Sequence, residues 1–305
     1  IGSMLMLEDI SSEKRMRSTM SRLMDPGIAD QMLAGGVDTL GGKNVQATVL
    51  FSDIRGFTTI TEQLGAQGTV ALLNEYFTLM VDCIQREAGF LDKFIGDAIM
   101  AAFGIPVAHD DDADRSVRTA IGMIRELWAW NKVRNAEGKL PVDIGIGLNT
   151  DNVVSGTIGS KKRMDYTIIG DGVNLAARLE SACKQYGAHI LISEFTNKLL
   201  RGTYYSRELD LVVVKGKTQP VAIYEILDYH TEESYPNMTD AMRHFKAGLQ
   251  KYRQQKWDDA KGEFNEVLTL IDHDKTVKMY LERCDHFIAN PPGAEWDGVW
   301  VMESK

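Results

Sequence analysis

With 305 residues, 44% of them hydrophobic and 25% charged, the chain has enough apolar surface for a packed core and too much for wholesale disorder. Its net charge of −9 argues against a general nucleic-acid binder, which presents a basic face, but leaves room for a phosphate-bearing substrate held by a few placed cations. Cys83, Cys183 and Cys284 stand far apart with no Cys-x-x-Cys pair, so neither a disulfide framework nor a zinc site is expected.

No apolar run approaches the roughly 18–20 residues that cross a bilayer, and Ile1–Met4 does not open a signal peptide, so a soluble, cytoplasmic chain is expected, whole or cut from a larger signalling protein. Residues 1–44 are rich in Met, Ser and charge and close on Gly35-Gly36 and Gly41-Gly42. They read as a linker with a short helix near Pro26–Leu33, either a solvated extension or a signalling helix from an upstream sensor. Val45–Asp53 then reads as a buried strand, and Leu73, Phe77, Met80, Val81 and Ile84 give a helix over about Thr69–Glu87 its apolar stripe. Phe90–Ile95 and Ala98–Phe103 are two strands joined through Gly96-Asp97 as a tight hairpin. A second helix starts at Asp110–Asp112, carries Val117, Ile121, Ile124 and Trp128 on one face, and closes near Gly138.

Val142–Leu148 alternates as a strand, Gly156–Gly170 reads as loop, and a helix runs from about Val173 to Tyr186. Strands follow at Ala188–Ser193, Glu208–Val214 and Val221–Leu227. The order predicts an α/β (α+β) fold, a ferredoxin-like palm sandwich of a mainly antiparallel sheet with helices. After Asp228 the composition turns helical: Ala241, Phe245, Leu249 and Tyr252 line one helix and Ala260, Phe264, Val267, Leu268 and Ile271 the next. This small C-terminal helical hairpin resembles a single tetratricopeptide unit, which cannot bury its face alone, so it is expected to pack on the preceding domain. An aromatic tail with Trp296 and Trp300 would dock behind it. Three regions result: 1–44 linker, 45–228 main α/β domain, 229–305 helical hairpin and tail.

Three motifs carry chemistry. Phe51–Thr58 places Asp53 at the exit of a buried strand, where a carboxylate either caps a turn or holds a cation. Asp97, alone a good turn former, changes meaning beside Asp53: two hard oxygen ligands at adjacent strand ends suit magnesium or manganese. In Asp165–Glu180 the pair Asn174 and Arg178 is four apart and shares a helix face, either a solvated face or a clamp for phosphate and ribose.

Phe51–Thr58, Lys93–Asp97 and Thr167–Arg178, in that order, resemble the three signature blocks of class III adenylyl and guanylyl cyclases over about Val45–Leu227. The resemblance implies that Asp53, Asp97 and the Ile54 carbonyl bind two divalent cations (Mg2+ or Mn2+), that Asn174 positions ribose, and that Arg178 stabilises charge at the α-phosphate. It also places Lys93 and Thr167 at the base. An ammonium only donates, which suits N1 of adenine and not the protonated N1 of guanine, and a hydroxyl can accept from the 6-amino group. The expected substrate is therefore ATP, with a guanylyl cyclase and an inactive regulatory or scaffold domain as alternatives. Thr167 resembles the bicarbonate-responsive soluble subgroup, and Lys215 resembles a family contact to the terminal phosphates. Asn149-Thr150-Asp151-Asn152 departs from the family pattern, leaving Lys161, Lys162 or Arg163 to replace a phosphate contact. Lys93 and Asp97 lie four residues apart yet serve opposite ends of one nucleotide. A homodimer resolves this, with Asp53 and Asp97 of one subunit facing Lys93, Thr167, Asn174 and Arg178 of the other.

Overall fold

A computed structural model describes residues 41–160, 162–213, 220–293, 295, 296 and 298. The expected N-terminal linker helices, Lys161, Lys215 and Trp300 lie outside the described residues.

The first six elements are β1 (Gly41–Ile54), α1 (Phe57–Arg86), β2 (Phe90–Ile95), β3 (Ala98–Phe103), α2 (Asp112–Ala136) and β4 (Ile144–Ser160). Their strands lie in the order β2-β3-β1-β4, each antiparallel to its neighbour, which is the ferredoxin-like arrangement. The chain continues through β5 (Arg163–Ile169), α3 (Asp171–Tyr186), β6 (Ile190–Ser193), the single turn α4 (Glu194–Asn197), β7 (Ser206–Val213) and β8 (Pro220–Ile226). Beyond β4 the sheet adds β6, parallel to β4, then β8 and β7, while β5 folds back along the far half of β4.

Alternation along the strands decides which face each helix covers. Leu50, Ile99, Ala101, Phe103, Ile146 and Leu148 pack under α1 and α2, whose Leu72, Tyr76, Met80 and Ile124 recur at helical spacing. Ala47, Val49, Met100 and Ala102 on the opposite face pack with Ile168 of β5 and Ala176 of α3. Helix α1 starts well before Thr69, because Gly65 (φ 65°, ψ 178°) separates a first segment from the expected one.

The stretch Gly156–Gly170, read as loop, is a β4–β5 hairpin. Its polar residues hide the strand alternation, while the ladder from Val154–Ile169 to Ser160–Arg163 satisfies the backbone. At its base three glycines let the chains close up: a Cβ on Gly156 would lie 2.1 Å from the Gly41 carbonyl oxygen.

Helices α5 (Met238–Arg253), α6 (Trp257–Leu270) and α7 (Lys275–Ala289) finish the described chain. The expected hairpin is α5–α6, and α7 adds a third helix. Phe245, Phe264, Tyr280 and Phe287 join Leu175, Leu179, Tyr186 and Leu209 in one buried cluster, so the bundle docks on α3 and the β7 edge. Trp296 stands edge-on to Tyr252 and Trp257, at 5.4 and 5.3 Å between ring centroids. Among the described residues no helix is long and apolar enough to cross a membrane.

Candidate active site

Asp53 sits at the end of β1, paired across the ladder with Gly145, and Asp97 sits on the β2–β3 turn two residues before Ile99, the partner of Ser52. The two carboxylates therefore meet at one sheet end. The Ile54 N–H donates to Asp53 Oδ1 at 3.1 Å. Burial and the adjacent Asp53, with which it shares a hydrogen bond, push the Asp97 carboxyl up to about 6. Asp97 Oδ2 is buried with no hydrogen-bond partner among the described residues. Two hard oxygen donors, an orphaned carboxylate oxygen and a strand-end carbonyl at Ile54 fit a magnesium- or manganese-type cation.

Arg55 braces this corner. Its backbone N–H reaches the Asp143 carbonyl at 2.8 Å, and its guanidinium bonds Asp143 Oδ2 at 2.9 Å and the Ala188 carbonyl oxygen. Burial alone would raise Asp143, but His189 and Arg55 hold its carboxyl below the usual range. Nearby, burial and the negative charge of Asp53 push the Glu180 carboxyl up to about 7. A Cβ on Gly145, the ladder partner of Asp53, would lie 3.0 Å from Glu180 Oε1.

Helix α3 can come this close because Gly145 and Gly147 face it. A Cβ on Gly147 would lie 2.2 Å from the Glu180 nitrogen and 2.3 Å from the Ala176 oxygen. The buried Asn149 fixes the other end of the helix, donating to the Gly172 carbonyl at 2.9 Å and accepting from Ser193 Oγ at 2.6 Å. With Leu175, Ala176, Leu179 and Cys183 buried, α3 presents Asn174 and Arg178 on its exposed face. Asn152 is exposed on β4 and Lys162 is exposed in the β4–β5 turn; Arg163 opens β5.

Lys93 and Thr167 come together through a residue that motif reading passes over. Asp92 accepts from Thr167 Oγ1 at 2.7 Å and has Lys93 Nζ 3.2 Å from its other oxygen. Its side chain is 0% exposed and that of Lys93 is 41% exposed. Burial lifts the Asp92 carboxyl, while Thr167, Lys93 and the Ile168 backbone pull it back. Arg55, Asn149 and Glu180 lie inside the motif segments, and Asp92 precedes Lys93, but their roles have no local signal, since only the pairing of strands and the seating of α3 bring them to the site.

The structure can thus hold cations at one corner and a hydrogen-bonding pair on β2 and β5, with an Asn/Arg pair on α3. Residues 42–228 match the family model of the adenylate and guanylate cyclase catalytic domain. The terminal-differentiation-specific adenylate cyclase of Dictyostelium discoideum is 35% identical over 246 residues, 78% of this chain and 11% of that protein. The adenylate cyclase of Anabaena cylindrica is 41% identical over 186 residues, 59% of this chain and 36% of that one. The chain therefore spans between 11% and 36% of the length of these curated relatives. Among solved structures, the adenylyl cyclase CyaB from P. aeruginosa is similar with a TM-score of 0.58 at 38% identity, covering 62% of this chain and 97% of that one.

Proposed function

Since the chain belongs to the adenylate and guanylate cyclase catalytic domain family, we propose that it converts ATP to 3′,5′-cyclic AMP and pyrophosphate at sites shared across a homodimer. The observation that carries the reading is the pair Asp53 and Asp97, two carboxylates at adjoining strand ends that form no ion pair among the described residues. Such uncompensated acid is costly to keep unless a cation is held there.

Asp53, Asp97 and the Ile54 carbonyl would hold the cations, and two divalent ions supply there a more acidic 3′-hydroxyl and charge neutralisation on pyrophosphate. The ribose 3′-oxygen attacks the α-phosphorus in line, the 3′-hydroxyl proton passes to water, and the bond to the bridging oxygen breaks, releasing pyrophosphate. Asn174 orients the ribose, and the Arg178 guanidinium meets the charge that grows on the α-phosphoryl oxygens. Lys93 donates to N1 of adenine and Thr167 accepts from its 6-amino group. Lys215 reaches the terminal phosphates. Catalysis is positioning and charge stabilisation, with no side chain acting as base.

A second subunit is needed because Lys93 and Asp97 sit on one hairpin but act at opposite ends of the nucleotide. Exposed apolar residues around the site support an interface: Phe94 and Ile95 on β2 are 44% and 50% exposed, and Met164 and Ile169 on β5 are 43% and 53% exposed. Thr167 also motivates stimulation by bicarbonate; at fixed pH, added bicarbonate raises turnover, and an unchanged rate overturns that part alone.

The test is product analysis of purified protein with Mg2+ or Mn2+ and either ATP or GTP. Cyclic AMP from ATP, abolished by Asp53→Ala, is the expected result. Cyclic GMP would overturn the base assignment and leave the reaction standing. No cyclic product from either nucleotide, at micromolar protein so that dimers form, would favour an inactive regulatory domain.

A further inference from the structure

We infer that Asp92 is the residue that fixes base selectivity, by holding the Thr167 hydroxyl as a pure acceptor and aiming the Lys93 ammonium beside it, an assignment that rests on the adenylyl cyclase reading. Pairing of β2 with β3 runs Phe90–Ala102, Leu91–Ala101 and then Lys93–Met100, so Asp92 is the extra residue of a β-bulge. In an unbroken strand, residues 92 and 93 would point to opposite faces. The bulge re-aims them, and Lys93 Nζ comes to lie 3.2 Å from Asp92 Oδ1.

The other oxygen of Asp92 reaches across to β5, where it accepts from Thr167 Oγ1 at 2.7 Å. The Ile168 backbone also bonds this carboxylate, and Phe90 meets Tyr166 edge-on with ring centroids 5.7 Å apart. One buried group therefore ties together the two residues that read the base, on strands that are not neighbours in the sheet. A buried carboxylate is retained only when donors and a cation answer it, and here both come from the base-reading pair.

The consequence is a matter of hydrogen-bond polarity. A hydroxyl has one proton and two lone pairs, and an ionised carboxylate can only accept. Once the Thr167 proton is committed to Asp92, lone pairs alone are left to face the base. Adenine offers an amino donor at position 6 and is accepted. Guanine offers an oxygen there, so two acceptors confront each other. Lys93, held as an ion pair with its Nζ 3.2 Å from Asp92 Oδ1, keeps N–H donors for the base, where N1 of adenine accepts and the protonated N1 of guanine cannot. A site whose polar groups go unpaired with the wrong ligand discriminates far more strongly than shape does.

The test compares kcat/KM for ATP and GTP in the wild type and in Asp92→Asn, a variant of nearly the same shape. The amide can turn its NH2 toward Thr167, freeing the hydroxyl to donate, and it no longer attracts Lys93. The ATP-to-GTP selectivity is expected to fall by about tenfold, the worth of roughly one such hydrogen bond, with KM for ATP raised and GTP turnover gained. Asp92→Ala is expected to go further in the same direction. Placed on a Thr167→Val background, Asp92→Asn should change the ratio clearly less than in the wild type, because one of the two groups it acts through is gone. A ratio within twofold of wild type, or an equal loss with both nucleotides, shows a merely structural carboxylate and overturns the inference while leaving the cyclase reading intact. A wild type that makes no cyclic AMP brings down both.

Discussion

Asp97 is a weakened acid, because burial and its place against Asp53 together push its carboxyl up to about 6. A cation needs the ionised form, so protons compete with it as pH falls through that value. Thermal stabilisation by Mn2+ should be full at pH 8 and largely lost at pH 5, and Asp97→Asn should weaken it at every pH. The same substitution should cost about a hundredfold or more in turnover, as loss of a preorganised charge-stabilising group does. Glu180 is shifted in the same direction, and there the consequence is read as stability. Burial and the charge of Asp53 lift its carboxyl from the ordinary 4.5 to about 7, so the folded state favours the protonated form. Its cost to stability is absent below about pH 4.5, grows as pH rises to about 7 and persists above. Glu180→Gln should therefore stabilise the metal-free protein by about 1–3 kcal/mol at pH 8 and hardly at all at pH 4.5, by denaturant titration. Asp53 and Asp97 stand in motifs that can be read one residue at a time. Asp92 and Glu180 act only through a bulge and through a helix laid over a glycine.

Helix α3 carries Asn174 and Arg178, and its seat on β4 depends on two positions without side chains. In Gly147→Ala the new methyl would meet the helix backbone at 2.2 and 2.3 Å, and a backbone inside a helix cannot yield as a side-chain tip would. The helix must shift outward, costing about 1–3 kcal/mol in stability and about a hundredfold in turnover through lost alignment. At its other end, Gly187 (φ +68°) lies against Lys275, the first residue of α7, with a Cβ there only 2.5 Å from the Lys275 Cβ. The C-terminal bundle is locked to the sheet by Arg207, which bonds Glu225 at 2.8 Å and Asp274 at 2.6 Å, all three buried. Burial alone would raise Asp274, yet Arg207 keeps its carboxyl below the usual range. Arg207→Ala leaves two acids buried without their cation and should cost about 3–5 kcal/mol, read as a lowered denaturation midpoint. Amphipathic helices such as α5 and α6 were legible from their apolar rows. The β4–β5 hairpin was not, because its polar residues carry no alternation and only its ladder to β4 makes it a strand pair.

Across the whole molecule, one dimer should hold two equivalent sites, each assembled from both subunits. Asp53→Ala and Arg178→Ala chains, inactive alone, should recover about a quarter of wild-type turnover when mixed in equal amounts, since half the dimers are mixed and each has one intact site. A mixture as inactive as its parents would falsify the shared-site arrangement. The sequence by itself determined the ferredoxin-like arrangement of the first four strands and their two helices, because hydrophobic period is written along the chain, and it carried the acid, Lys/Thr and Asn/Arg motifs as local residue chemistry. Tertiary structure alone decided the rest: Thr167 and Lys93 joining at Asp92, the β4–β5 hairpin, α3 resting on Gly147, and the bundle bonded through Arg207. Each of these depends on strand register and packing, which have no local signature.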